Sequence, residues 1–155
     1  AHLLGKRLKD AKIPVMLNRV HSLPEREEDD VNLPYSLPSL LQKQGILFCI
    51  QNAGDMEAMN TRNLPFQAGT AMAYGLTEEE ALQAISLNPC KIMGISDQFG
   101  SLEAGKSATL FISKGPALDM KSNQVTCLVF HGQIESPENF QYKLYQKYKR
   151  KYQGK

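Results

Sequence analysis

The sequence predicts an α/β fold, and three observations carry that expectation. Over the first 95 residues, two short apolar runs at 13–17 and 46–50 alternate with helical patterns. The second run, Ile46-Leu47-Phe48-Cys49-Ile50, is apolar at consecutive positions, as a parallel strand covered on both faces is. After Gly94 long helical patterns stop and two strand-like runs follow at 108–112 and 125–130, which marks a small, mostly β unit.

Each element has a local reason. Leu3, Leu4, Leu8 and Ala11 fall at helical spacing, so residues 2–12 read as a helix. Ile13-Pro14-Val15-Met16-Leu17 reads as a short buried strand with Pro14 tolerated at its start. A polar loop from Asn18 to Pro34 leads to a helix with Ser36 as its expected N-cap and Pro38 in its first turn. Leu37, Leu40 and Leu41 form its apolar face, and Gly45 ends it. The second strand is followed by the polar turn Gln51-Asn52-Ala53-Gly54-Asp55 and a helix from about Asn63 to Tyr74. Thr77-Glu78-Glu79-Glu80 is a capping box that opens the next helix. Asn88-Pro89 is expected to break that helix and start a short one over Cys90–Met93. Beyond the turn glycines 100 and 105 lie the strands 108–112 and 125–130, then a turn at His131-Gly132.

Composition narrows the possibilities. With 155 residues, 42% hydrophobic and 22% charged, the chain is one domain's worth of globular protein rather than a disordered one. No apolar run approaches a membrane span. The chain is expected to be soluble, in either cytoplasm or periplasm. Three scattered cysteines, Cys49, Cys90 and Cys127, form neither a disulfide framework nor a CxxC zinc pair. Residues 141–155 carry six basic side chains and no acid, which leaves the first 140 at −4 within a chain of net charge +2. Tyr142, Tyr145, Tyr148 and Tyr152 recur at helical spacing, so this tail reads as a terminal helix, docked by its tyrosines or frayed, with its lysines in water. The same pattern would also suit stacked bases or phosphates, but nucleic-acid binding is not the expectation.

Two parallel strands with flanking helices close neither a barrel nor a doubly wound sheet. The chain is therefore expected to be the end of a larger α/β domain with part of an appended β layer.

Two motifs sharpen this. The stretch Gly75-Leu-Thr-Glu-Glu-Glu-Ala-Leu-Gln-Ala-Ile-Ser-Leu-Asn-Pro-Cys-Lys-Ile-Met-Gly94, followed by Gly100-Ser-Leu-Glu-Ala-Gly-Lys-Ser-Ala-Thr-Leu110, strongly resembles the carboxyl-terminal segment of the amidohydrolase superfamily, nearest to imidazolonepropionase-like enzymes. Cys90 stands where the family usually has alanine, and Thr109 where it has aspartate. The resemblance runs from residue 1 to about 135. It implies the last two βα units of a TIM-type (β/α)8 barrel over 1–97, part of a composite β-sandwich over 98–135, and a C-terminal basic helix or tail over 136–155. It implies metal-assisted hydrolysis of a carbon–nitrogen bond, cyclic amides included, with one or two divalent ions such as zinc. Most metal ligands would lie upstream, so no metal is expected in this chain alone, which would be inactive by itself.

In family members an aspartate ends the eighth strand. Aligned from Gly45, that column falls on Ala53, so the usual ligand is absent. Asp55, two residues on, could take the catalytic role or merely cap the next turn. Asn18, Arg19 and His21 follow the first strand and Gln51 and Asn52 the second, where a barrel site is built. All five are candidate substrate-binding residues. His21 could meet a substrate or bond to loop backbone, and Arg19 could hold a substrate carboxylate or pair with Glu25 or Glu27. Asn60 and Arg62 are weaker candidates. The expected partners are a small-molecule substrate, the upstream part of the same protein and a second copy in a homo-oligomer. A metal-free protein of this fold, serving binding or subunit pairing, is the alternative that Ala53 suggests.

Overall fold

The structure, a computed structural model, describes residues 2–18, 20–24, 26–54 and 57–153. It is mixed α/β, with two separate sheets. Strands β1 (Val15–Asn18) and β2 (Phe48–Gln51) pair in parallel, Val15 opposite Phe48 and Asn18 opposite Gln51. Helix α1 (Gly5–Asp10) precedes β1, and α2 (Leu33–Lys43) joins β1 to β2. A 3-10 turn (Glu57–Asn63) then leads to α3 (Leu64–Ala73), α4 (Glu78–Ile85) and α5 (Leu87–Ile92). The second sheet is antiparallel, in the order β3 (Leu110–Ser113), β4 (Val125–Phe130), β5 (Gln133–Glu135). Helix α6 (Phe140–Gln153) follows. No described helix is long and apolar enough to cross a membrane.

One core holds the first sheet to its helices. Leu17, Phe48 and Ile50 pack with Leu41 of α2, Ala68 and Ala71 of α3, and Ala81 and Ala84 of α4. Four alanines at these positions let α3 and α4 lie close to the sheet, and burying Phe48 or Ile50 contributes roughly 1.5–3 kcal/mol each. Asn88 of α5 is buried and donates from Nδ2 to the Phe48 carbonyl at 2.9 Å, so a polar group closes the bottom of the core without an open bond. The connection between β3 and β4 reaches the same core through Leu118, only 4% exposed. Gly69 lies beneath it: a Cβ there would run into the Leu118 carbonyl oxygen.

Several boundaries differ from the sequence expectation. Helix α2 begins at Leu33, not after Ser36. Asp30 turns the chain by accepting from the Asn32 N–H at 2.8 Å, and Pro34 fits the first turn. Ser36 is inside the helix, its hydroxyl donating to the Asn32 carbonyl, and Pro38 is interior as well. Gly45 (φ 69°) ends α2 as expected, with the Ile46 N–H returning to the Leu41 carbonyl. The break between α4 and α5 falls at Ser86, so Asn88-Pro89 sit inside the first turn of α5, where proline's missing N–H costs nothing. Strand β1 runs to Asn18, and β3 begins at Leu110 and runs to Ser113. Strand β5 was not expected: His131 and Gly132 both take positive φ, the two-residue turn that folds the chain straight back on β4.

The largest correction concerns α6. The helix forms, but it has no buried residue, and its four tyrosines are 45–70% exposed rather than docked. Lys149 lies over the Tyr145 ring and Lys151 over Tyr152, so two of the four rings meet cations of the helix itself.

Candidate functional site

Parallel pairing brings the carboxyl ends of β1 and β2 level, and the loops that leave them meet over the start of α3. Asn18 ends β1 opposite Gln51, and its Nδ2 donates to the Ala53 carbonyl at 3.3 Å. Alternation along the strands sends Asn18 and Gln51 to the face away from Leu17 and Ile50. The Gln51 Oε1 is buried without a hydrogen-bond partner among the described residues. Asn52 turns toward the helices: its Oδ1 accepts from Gln67 Nε2 at 2.9 Å, and its Nδ2 donates to the Asn60 carbonyl at 3.1 Å. The Asn52 amide is thus committed at both ends to shaping its loop. Asn60 enters through its backbone, and Arg62 is exposed. Arg19 and Asp55 lie outside the described residues.

His21 is exposed, and its Nε2 is 2.6 Å from the Thr70 hydroxyl. The Tyr35 ring lies 6.2 Å away and tilted, and Tyr35 in turn contacts Tyr74 at 5.3 Å. Tyr74 donates from its hydroxyl to Asn32 Oδ1 at 3.2 Å, which explains why Asn32 does not cap α2 with its side chain. Gln67, Thr70 and Tyr74 are spaced three and four apart, on one face of α3 and its C-terminal turn. That face holds three separate loop positions: Asn52 after β2, His21 after β1, and Asn32 before α2. Sequence reasoning missed it. The signal was present as three hydrogen-bonding side chains at helical spacing in a stretch otherwise rich in small residues.

The arrangement offers amides, one imidazole and phenols, which orient a polar ligand by hydrogen bonds. Among the described residues no three of His, Cys, Asp and Glu gather as metal ligands would. The donors present at the strand ends therefore do not by themselves fit a divalent metal site. Cys49 is buried in β2, and burial pushes its thiol up, toward an inert core cysteine rather than a nucleophile. His131 hydrogen-bonds the Ser107 hydroxyl through Nδ1 at 3.3 Å, within the β unit. A groove of about 470 Å³ between α4, α5 and β3, lined by Leu82, Phe99, Leu102, Leu110 and Phe111, shares no residue with the strand-end cluster.

Polar side chains thus gather in an α/β protein where its two parallel strands end, the end at which open and closed parallel sheets alike bind ligands. The comparisons give the family. The amidohydrolase family model matches residues 8–134, and the chain belongs to that family. It is 29% identical over 85 residues to an imidazolonepropionase of Flavobacterium johnsoniae, a match covering 54% of this chain and 21% of that protein. An imidazolonepropionase of Flavobacterium psychrophilum matches to the same extent. The crystal structure of an amidohydrolase from Thermotoga maritima superposes with a TM-score of 0.73 at 32% identity, covering 86% of this chain and 34% of that one. A prolidase complexed with N-methylphosphonate-L-proline shares the fold, with a TM-score of 0.63 at 17% identity, over 89% of this chain and 38% of its own. The chain spans about a fifth of the length of the curated relatives it matches and about a third of the solved structures. Helix α6 lies beyond the matched residues.

Proposed function

We propose that this chain is the carboxyl-terminal portion of a hydrolase that cleaves carbon–nitrogen bonds, cyclic amides among them, in a small-molecule substrate, and that it is inactive alone. On this reading residues 1–97 are the last two βα units of a (β/α)8 barrel. Residues 98–135 are part of a β-sandwich completed by upstream polypeptide, and 136–155 form an appended basic helix. The observation that carries the reading is the level pairing of Asn18 with Gln51 at the strand ends, with Asn52 and His21 held in the adjoining loops.

Hydrolysis adds the oxygen of water to the carbonyl carbon and a proton to the leaving nitrogen. Asn18 and Gln51 each carry an amide that can donate to a substrate carbonyl and accept from a ring N–H, so the pair can orient the bond that breaks. Gln51 Oε1, buried without a partner among the described residues, is suited to such a donor. Asn52 shapes the loop, and His21 offers a ring nitrogen. Arg19 is proposed to hold a substrate carboxylate and Asp55 to move a proton. A divalent metal, zinc or similar, would have to be held by upstream residues, because the described ones do not form a site for it.

The test is hydrolysis of lactam- and imidazolone-type cyclic amides by the longer polypeptide and by these 155 residues alone. Turnover by the longer chain only is the expected result. A longer chain that spares every such bond overturns the reading. It would favour a binding or subunit-pairing protein, which Ala53 at the family's aspartate position supports.

A further inference from the structure

Thr70 has two hydrogen-bond neighbours, the Phe66 carbonyl and the His21 ring, and a single hydroxyl hydrogen to give. Its Oγ1 donates to the Phe66 carbonyl at 3.1 Å, the bond a helical threonine makes to the turn below. The same oxygen is 2.6 Å from His21 Nε2. With its hydrogen spent on Phe66, the threonine can only accept, so Nε2 must carry the proton. The opposite tautomer would make one hydrogen bond where this one makes two. The Tyr35 ring lies 6.2 Å from the imidazole, and Gln67 and Tyr74 on the same helix face hold the neighbouring loops through Asn52 and Asn32.

We infer that Thr70 is a positioning residue that holds His21 in the Nε2-protonated form and leaves Nδ1 unprotonated, as the acceptor for an N–H group of a cyclic amide. The tautomer stands on geometry alone; the ligand class rests on the proposed function and deepens it. A ring nitrogen whose state is set by the bond on its far side is the arrangement by which proteins choose which histidine nitrogen is available. Nδ1 selects for the ring N–H of a lactam, and an N-alkylated ring has nothing to offer it.

The experiment is long-range ¹H–¹⁵N NMR of the histidine rings in the full chain at alkaline pH, where histidines as a class are neutral. His21 is assigned by the signals lost in His21→Gln. Wild type is expected to show Nδ1 at the unprotonated position and Nε2 at the protonated one. Thr70→Val should draw the two resonances toward each other as the tautomers mix, and Thr70→Ser should restore the wild-type positions. A protonated Nδ1 in wild type, or a Thr70→Val spectrum identical to wild type, overturns the positioning role. For the ligand, 2-pyrrolidinone should shift the Nδ1 resonance and N-methyl-2-pyrrolidinone should leave it in place. Equal shifts, or no shift with either, overturn the assignment of Nδ1 to an N–H donor. None of these readouts needs turnover, so a failure to hydrolyse amides would remove the proposed activity and leave the tautomer standing.

Discussion

Replacing Gly69 with alanine sets two physical effects of opposite sign against each other. In a helix interior alanine is about 1 kcal/mol more favourable than glycine, so propensity alone predicts a more stable protein. The packing says otherwise. The new Cβ would run into the Leu118 carbonyl oxygen and lie 3.3 Å from its carbon and 3.5 Å from its Cβ. Holding the contact amounts to overpacking, which costs about 1–3 kcal/mol. Releasing it lifts the connection between β3 and β4 and exposes Leu118, now 4% exposed, at a cost of roughly 1.5–3 kcal/mol. At the middle of either range the cost outweighs the helical gain, for a net loss of about 1 kcal/mol. At about 2–4 °C per kcal/mol for a chain of this size, the midpoint of thermal unfolding should fall by about 2–4 °C. Circular dichroism in the far ultraviolet measures it. Leu118→Ala, which already loosens the connection, should cost about 2–5 kcal/mol alone. The double variant should lose at least about 0.5 kcal/mol less than the sum of the two. A Gly69→Ala protein as stable as wild type, or more so, refutes the claim that this glycine exists for the close approach of the β unit.

Other outcomes follow from single contacts. The Thr77 backbone N–H, then the Thr77 hydroxyl bond and Gln42, hold the Glu80 carboxyl below the usual glutamate range. Because the folded form binds its proton less readily than the unfolded one, this contribution is full at neutral pH and is lost as pH falls through the lowered value. The urea midpoint should therefore fall further between neutral and acid pH for wild type than for Glu80→Gln, and equal falls would refute it. Asn88→Ala leaves the buried Phe48 carbonyl without its donor and should cost about 1–3 kcal/mol in urea unfolding. Ending the chain after Pro137 removes α6, which buries nothing, and should change the unfolding free energy by less than about 0.5 kcal/mol. A larger loss would mean that the tyrosines do pack.

Much of this architecture was legible because its signals are local. Phe48, Cys49 and Ile50 are buried in succession, as a covered parallel strand requires, and the Thr77–Glu80 box caps α4 through both of its bonds. Gly45 and Gly75 stop their helices where expected. What escaped depends on partners distant in sequence. Ser36 looked like a cap, but the turn that starts α2 is made upstream by Asp30 and Pro34. Strand β5 is three exposed residues with no apolar alternation to announce them, and only the turn at His131-Gly132 creates it. The tyrosine stripe of α6 has the spacing of a docking face, yet spacing cannot say whether a surface exists to receive it. At the strand ends, Asn18, Gln51, Asn52 and His21 were singled out by the rule that parallel sheets place chemistry there. Gln67 and Thr70 were not, because the bonds that give them meaning span 15 and 49 residues.

Among the described residues the two strands of the first sheet pair only with each other, so each spends the hydrogen-bonding groups of one flank and leaves the other flank without a strand partner. Four residues per strand is little length to solvate, but the helices cover a face of the sheet rather than its sides. Any extended polypeptide can be zipped onto either row. For anyone handling these 155 residues in isolation, shelf life and working concentration are thereby matters of strand chemistry, decided at the rims of a two-rung ladder.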